Sequence, residues 1–250
     1  MIPNLPKKGE DETLDTFYHG QILILQKKKG YRFSVDAPLL ADFIQTERSD
    51  NLLEIGAGCG VISLLLSIKP FAHVTALEIQ DSLVDLARRN VQLNKLTEKI
   101  SVVQGNIRDF VTPEKFTVVF SNPPYIKQKS GHLSPSDEKS VAKHELKISI
   151  FDIMQKMTEL LKEDGRAYFI FPAKRQKDLW QAAEGCGMRI HSYRWVYPHQ
   201  DSKPNFILVS CDFKTEKTMC REPLVLYTGK GDYSKEADAI FSGRIHAETS

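Results

Sequence analysis

Short apolar runs alternate with amphipathic stretches along most of the chain after residue 50. The apolar runs predict buried strands over residues 52–55, 74–77, 100–103, 116–120, 166–171, 189–197 and 206–213. Between most of them, apolar residues recur at three- and four-residue spacing, which predicts helices over 61–68, 81–94, 149–162 and 174–184. Gly165 follows the third of these helices and is expected to close it.

Strands that alternate with helices indicate a parallel sheet with helices on both faces. We therefore expect an α/β fold with a doubly wound, Rossmann-like sheet of seven strands. No helical pattern separates the strands predicted over 189–197 and 206–213, so these two should form an antiparallel pair at the sheet edge. Residues 51–250 are predicted to be one domain.

Residues 1–50 carry a different pattern. Two short apolar runs, 21–25 and 31–35, flank the polar stretch 26–30, which predicts a hairpin. Asp36 is predicted to be the N-cap of a helix that extends to residue 44, with Pro38 in its first turn. This segment should form a hairpin-and-helix cap on the larger domain.

Length, charge and cysteine content limit the class of protein and the compartment that we expect. A chain of 250 residues can bury the core of one large domain, and its net charge of +2 does not by itself indicate nucleic acid or membrane. No apolar run approaches the ~18 residues of a membrane span. The four cysteines form no CxxC pair, so we expect reduced thiols, no metal site and a cytoplasmic protein.

A glycine-rich turn follows the first strand of the large domain. Gly56, Gly58 and Gly60 let the backbone turn tightly and let a ligand approach it in front of a helix N-terminus. Glu54 lies two residues ahead of the first glycine. Glu78 ends the next strand 20 residues after Gly58, where an acid can accept hydrogen bonds from ribose hydroxyls. Together these features predict a nucleoside-containing cofactor.

The glycine spacing distinguishes between cofactors. Nicotinamide dehydrogenases use GxGxxG, whereas this turn is GxGxG, which better fits the S-adenosylmethionine loop of class I methyltransferases. Asn106 follows the third strand at the position where such enzymes hold the cofactor adenine, although a plain Asn turn would explain it too. Ile79 and Ile107 adjoin these polar residues and complete the candidate cofactor site.

The sequence Asn122-Pro123-Pro124-Tyr125 ends the fourth strand. Its prolines fix two backbone torsions and remove two amide donors, at the sheet edge where open α/β folds bind ligands. The side-chain oxygen of Asn122 and the carbonyl of Pro123 could accept both protons of a planar amine. That would draw the nitrogen toward a tetrahedral shape and free its lone pair without a general base. Tyr125 offers a ring on which a flipped base can stack. The alternative is a Pro-Pro turn with a surface aromatic.

NPPY behind GxGxG is similar to the signature of methyltransferases that modify adenine, guanine in ribosomal RNA, or glutamine in release factors. Over residues 12–243 the chain resembles the bacterial tRNA (adenine-N6)-methyltransferase family, which modifies valine tRNA. The matching segments are 33–40, 54–60, 78–80, 122–125, 142–145, 196–198 and 232–234. The resemblance implies a class I methyltransferase fold, S-adenosylmethionine as cofactor and tRNA as partner. It also implies that Phe33 and Asp36 lie by the methionine end of the cofactor.

Other functions remain open on the sequence. Release-factor glutamine methyltransferases resemble only residues 51–125 and carry a helical N-terminal domain, and a ribosomal RNA guanine methyltransferase shares the NPPY chemistry. An RNA-binding adaptor would be expected to have lost Asn122 or the glycines, which are present. For RNA, Lys127 and Lys129 are the favoured phosphate contacts because they adjoin NPPY. A monomer or weak dimer is expected.

Overall fold

A computed structural model describes residues 6–29, 32, 34–123, 148–229 and 231–243. The strands are β1 Glu12–Phe17, β2 Ile22–Lys27, β3 Asn51–Ile55, β4 His73–Glu78, β5 Ile100–Gln104, β6 Phe116–Ser121, β7 Leu161–Pro172, β8 Arg189–Tyr197, β9 Phe206–Asp212, β10 Met219–Cys220 and β11 Leu224–Val225. The helices are α1 Asp36–Phe43, α2 Val61–Leu65, α3 Asp81–Leu93, α4 Ile150–Leu160, α5 Gln176–Gly185 and α6 Lys235–Ser242.

The central sheet confirms the predicted doubly wound α/β architecture. Its strand order is β10-β8-β9-β7-β6-β3-β4-β5, and β3 to β7 pair in parallel. β9 is antiparallel to both β7 and β8. The antiparallel pair is not at the sheet edge, because the chain after β9 returns and adds β10 and β11 beside β8. Two-residue strands carry too little periodicity to be read from sequence.

The core lies on both faces of this sheet. Neighbouring residues of one strand enter opposite clusters: Leu52 and Val118 pack with α1, α2 and α3, whereas Leu53 and Val119 pack with α4 and α5. Strands that are buried on both faces read as continuous apolar runs, which is why the sequence predicted them. Within the described residues, no helix combines the length and apolarity that a bilayer crossing requires.

Three local predictions are wrong. Gly165 does not close a helix, since α4 ends at Leu160 and the fully buried Leu161 already pairs with Phe116 as the start of β7. Asp36 is the first helical residue rather than the N-cap, which is Val35. The helix also ends at Phe43, one residue earlier than predicted.

The N-terminal hairpin pairs β2 with the strand before it, not with the predicted strand over 31–35. β1 pairs with β2 around a turn over Tyr18–Gly20, where His19 and Gly20 have positive φ angles of 55° and 87°. The described residues of the segment 31–35 are not in a strand. The edge of β2 that faces away from β1 is bonded to side chains from α3.

Asn90 and Asn94 of α3 replace a neighbouring strand at that edge. Asn94 exchanges two hydrogen bonds with the backbone of Leu23, at 2.8 and 2.7 Å. Asn90 does the same with Leu25, at 2.7 and 2.9 Å, and its Nδ2 also donates to the carbonyl of Cys59 at 2.9 Å. Four residues of a helix span about 6 Å and two residues of a strand about 6.7 Å. The spacing of the two asparagines along α3 therefore matches the spacing of Leu23 and Leu25 along β2.

We expect Asn90→Ala to lower the free energy of unfolding by about 2–4 kcal/mol, because the substitution leaves three buried backbone groups without their partner. Urea unfolding checks this. Gln92→Ala, on the same helix, is the matched control and should cost less than about 1 kcal/mol. Equal losses for the two variants would contradict the role given to Asn90.

Candidate functional site

A cleft opens where β3, β4, β5 and β6 end. The space inside it is about 850 Å³ when the open solvent at its mouth is included, and about 160 Å³ can be occupied by the centres of water molecules. Seven of the residues that the sequence nominated line it: Gly56, Gly58, Glu78, Ile79, Asn106, Ile107 and Asn122. The cleft therefore joins the glycine-rich turn to the first residue of the NPPY sequence.

The glycine-rich turn depends on glycine. Gly56, Gly58 and Gly60 have φ angles of 74°, 58° and 81°, a region that side chains disfavour. The amide groups of Gly56 and Ala57 both donate to the carbonyl of Leu77, which fixes the turn against the end of β4. A Cβ built on Gly56 would meet no atom within 4 Å, so the bare backbone of Gly56 is accessible to a ligand.

Glu78 forms one wall of the cleft and is 4% exposed. Its Oε2 accepts a hydrogen bond from the amide of Gly58 at 2.8 Å. Its Oε1 accepts from the amides of Ile79 and Gln80, at 3.0 and 2.9 Å. The carboxylate thus ties the glycine-rich turn to the end of β4, with one backbone amide donating to Oε2 and two donating to Oε1. An oxygen acceptor in this position fits the hydroxyl groups of a ribose.

The remaining walls are suited to an aromatic ring. Ile79 is 38% exposed although it is a large apolar residue, and Ile107 is buried on the other strand end. Asn106 lines the cleft between them, and its Oδ1 accepts from the amide of Arg108 at 3.1 Å. That local turn is the plainer interpretation of Asn106, and the residue also lines the cleft.

Two nominated residues, Gly60 and Glu54, lie outside the lining of the cleft. Gly60 is the N-cap of α2. Glu54 is 1% exposed, and its Oε2 accepts hydrogen bonds from the amide and the hydroxyl of Ser63. Neither residue is among those that line the cleft. Burial raises the pKa of Glu54 to about 8, and the bonds to Ser63 connect the end of β3 to α2.

This buried acid predicts a pH effect on stability. The folded pKa of about 8 exceeds the ordinary value of 4.5, so the folded state binds more protons and stability falls as the pH rises from 4.5 to 8. Glu54→Gln keeps the acceptor for Ser63 without a titrating proton. We expect the variant to gain about 2–4 kcal/mol relative to wild type between pH 5 and pH 8.5. Urea unfolding at both pH values checks this, and a pH-independent difference would contradict it.

Asn122 is the residue directly after β6, and it contacts the N-terminal segment. Its Nδ2 donates to Oδ2 of Asp36 at 2.9 Å, across 86 residues of sequence. The preceding Ser121 donates from Oγ to the carbonyl of Ile55 at 2.8 Å, which anchors the end of β6 to β3. Pro123 is buried. Asp36 is thus brought to the amide of Asn122.

Several nominated residues lie outside the described part of the chain: Phe33, Tyr125, Lys127 and Lys129. Conversely, the cleft includes residues that the sequence did not nominate, among them Ser121 and Ile153. Ser121 could have been found as the last residue of its strand. Ile153 belongs to the apolar face of α4 and carries no signal that separates it from an ordinary core residue.

The sequence matches a family of known proteins and named relatives within it. The model of the methyltransferase small domain family matches residues 32–171. A protein of Dyadobacter fermentans named tRNA1(Val) (adenine(37)-N6)-methyltransferase is 26% identical over 194 residues, covering 77% of this chain and 80% of that protein. A protein of the same name from Pedobacter heparinus is 28% identical over 224 residues, covering 88% and 93%.

The fold is also similar to solved structures. A predicted O-methyltransferase from Agrobacterium tumefaciens superposes with a TM-score of 0.66 at 18% identity, covering 84% of this chain and 96% of that one. At this identity the similarity concerns the fold.

Proposed function

The chain belongs to the methyltransferase small domain family, and we propose that it methylates the exocyclic N6 amine of an adenine in tRNA. It is a methyltransferase, and its cofactor is S-adenosylmethionine. The observation that carries the proposal is the amide of Asn122, which is held at the carboxyl end of β6 in the wall of the same cleft as Glu78.

The residues of the cleft fit this cofactor. S-adenosylmethionine supplies the methyl group when it is bound. Glu78 would accept from its ribose, and the bare backbone of the turn at Gly56 would allow close approach. Ile79 and Ile107 offer apolar surface for the adenine ring, and Asn106 lies beside them.

In this proposal, Asn122 activates the amine that receives the methyl group. An exocyclic amine is a poor nucleophile because its lone pair is delocalised into the ring. A side-chain oxygen that accepts one of its protons favours the tetrahedral nitrogen, and a preorganised acceptor of this kind acts mainly in the transition state. The carbonyl of Pro123 is proposed as the second acceptor, and Tyr125 as the surface on which the base stacks.

The choice of tRNA adenine is supported by the names of the relatives from Dyadobacter fermentans and Pedobacter heparinus. Lys127 and Lys129 are the proposed phosphate contacts, because they follow the NPPY sequence directly. We further propose that the protein acts in the cytoplasm as a monomer or weak dimer. Residues 1–50 would form a cap that contributes Asp36 to the site.

The test is to incubate the protein with methyl-labelled S-adenosylmethionine and, separately, bulk tRNA, ribosomal RNA or release factor. Digestion and mass spectrometry then identify the methylated species. We expect N6-methyladenosine in tRNA. Methylguanosine in ribosomal RNA, or methylglutamine in release factor, would replace the adenine assignment by one of the other two acceptors.

A further inference from the structure

The carboxylate of Asp36 is almost fully committed to hydrogen bonds. Asp36 is 8% exposed. Its Oδ1 accepts from the amide and the hydroxyl of Ser34, at 3.2 and 2.8 Å, and from the amide of Ala37 at 3.0 Å. Its Oδ2 accepts from Nδ2 of Asn122 at 2.9 Å. Three donors therefore fix the orientation of a carboxylate whose other oxygen contacts the asparagine in the cleft.

This contact determines which way the amide of Asn122 points. The two ends of an amide have nearly the same shape but opposite roles, since the nitrogen donates and the oxygen accepts. A carboxylate only accepts, so it selects the nitrogen of Asn122 and turns the oxygen to the opposite side. The bond thus sets the acceptor or donor character of the group that Asn122 presents away from Asp36.

We propose that Asp36 is a positioning residue for methyl transfer, which holds the Asn122 amide so that its oxygen accepts from the target amine. The inference rests on the proposed function and assigns Asp36 a role separate from contact with the cofactor. Asp36 belongs to α1 and Asn122 to the end of β6, so the N-terminal segment completes a site that is otherwise built by the sheet.

The substitution Asp36→Asn separates positioning from simple structural support. The oxygen of the new amide can keep the three donors from Ser34 and Ala37, which leaves its nitrogen facing Asn122. Two facing NH2 groups repel, so the Asn122 amide should rotate by half a turn and offer its oxygen to residue 36. The hydrogen bond survives, but the target amine then meets a donor.

We expect Asp36→Asn to lower the single-turnover rate of methyl transfer by about 10²-fold, comparable to the loss of one preorganised group. Its Kd for S-adenosylmethionine in calorimetry should stay within about threefold of wild type. The double variant with Asn122→Ala should be no slower than Asn122→Ala alone, because both changes remove the same oxygen. Asp50→Asn is the matched control. Asp50 is also a buried aspartate, whose Oδ2 accepts from Arg166 and from the backbone amide of Glu47, and the variant should keep the wild-type rate.

The side-chain amide signal of Asn122 in a ¹⁵N–¹H spectrum gives a readout that needs no acceptor. It should shift strongly in Asp36→Asn and remain in place in Asp50→Asn. An unchanged signal, a near-normal rate, or a loss of cofactor affinity that matches the loss of rate would overturn the positioning role. If wild type methylates no RNA or protein offered, the proposed function fails, whereas this spectrum still decides whether Asp36 orients Asn122.

Discussion

Asn122→Ala is expected to lower the single-turnover rate of methyl transfer by about 10²-fold or more while leaving the affinity for S-adenosylmethionine nearly unchanged. Asn122 lies in the wall of the cleft, and its amide is oriented by Asp36. An acceptor that acts mainly as the amine becomes tetrahedral contributes to the transition state more than to binding. The loss should therefore appear in turnover, measured with saturating cofactor and RNA.

Two controls make this result specific. Asn205→Ala removes an exposed asparagine that precedes β9 and should leave the rate unchanged. The thermal midpoint of each variant shows whether Asn122→Ala has lost activity through unfolding. A variant that remains folded, binds cofactor and turns over at a near-normal rate would show that the asparagine serves only the turn.

The sheet could be predicted from sequence because its strands are buried on both faces. Residues Val118, Val119 and Phe120 are all fully buried, so the run needs no alternation and is easily recognised. β1 has no such signal. It contains Glu12, whose side chain is buried because Arg89 forms an ion pair with it at 2.7 Å. Because this partner lies 77 residues away in sequence, the local pattern does not reveal that Glu12 is buried.

The candidate site likewise contains residues that could be predicted from the sequence and a contact that could not. Glu78 and the glycine-rich turn are recognisable because short spacing along β3, β4 and their loops already places them together. The bond between Asp36 and Asn122 spans 86 residues and depends on how α1 packs against the sheet. Resemblance placed Asp36 beside the cofactor, whereas the structure shows its carboxylate bonded to Asn122.

Glu54 shows that a sequence motif does not determine the direction of a side chain. Its position two residues ahead of the first glycine suggested contact with the cofactor, and the prediction stands without a direct test. In the structure its carboxylate accepts from Ser63. Strand residues alternate between the two faces, and the motif alone does not tell whether an acid near the strand end points to the ligand or to the helix behind it.

Glu78→Ala is expected to weaken S-adenosylmethionine binding by about 1.5–3 kcal/mol, the range for hydrogen bonds to a charged group. This corresponds to roughly a 10- to 150-fold rise in Kd. The carboxylate has two tasks in the structure: it faces the cleft, and it accepts from the amides of Gly58, Ile79 and Gln80. Removing it takes an acceptor from the ribose site and also releases the glycine-rich turn from the end of β4.

Calorimetry on Glu78→Ala, Glu78→Gln and Glu163→Ala separates these two tasks. Glu163 is an exposed glutamate of β7, so its replacement should leave the Kd unchanged. Glu78→Gln retains one oxygen for part of the backbone contacts but brings a donor where the carboxylate accepts, so it should stay folded and still bind cofactor weakly. NADH should not bind measurably to wild type or to any of these three variants, because the turn is GxGxG. Unchanged S-adenosylmethionine affinity in Glu78→Ala would remove Glu78 from the cofactor site, and tight binding of NADH would overturn the assignment of the cofactor itself.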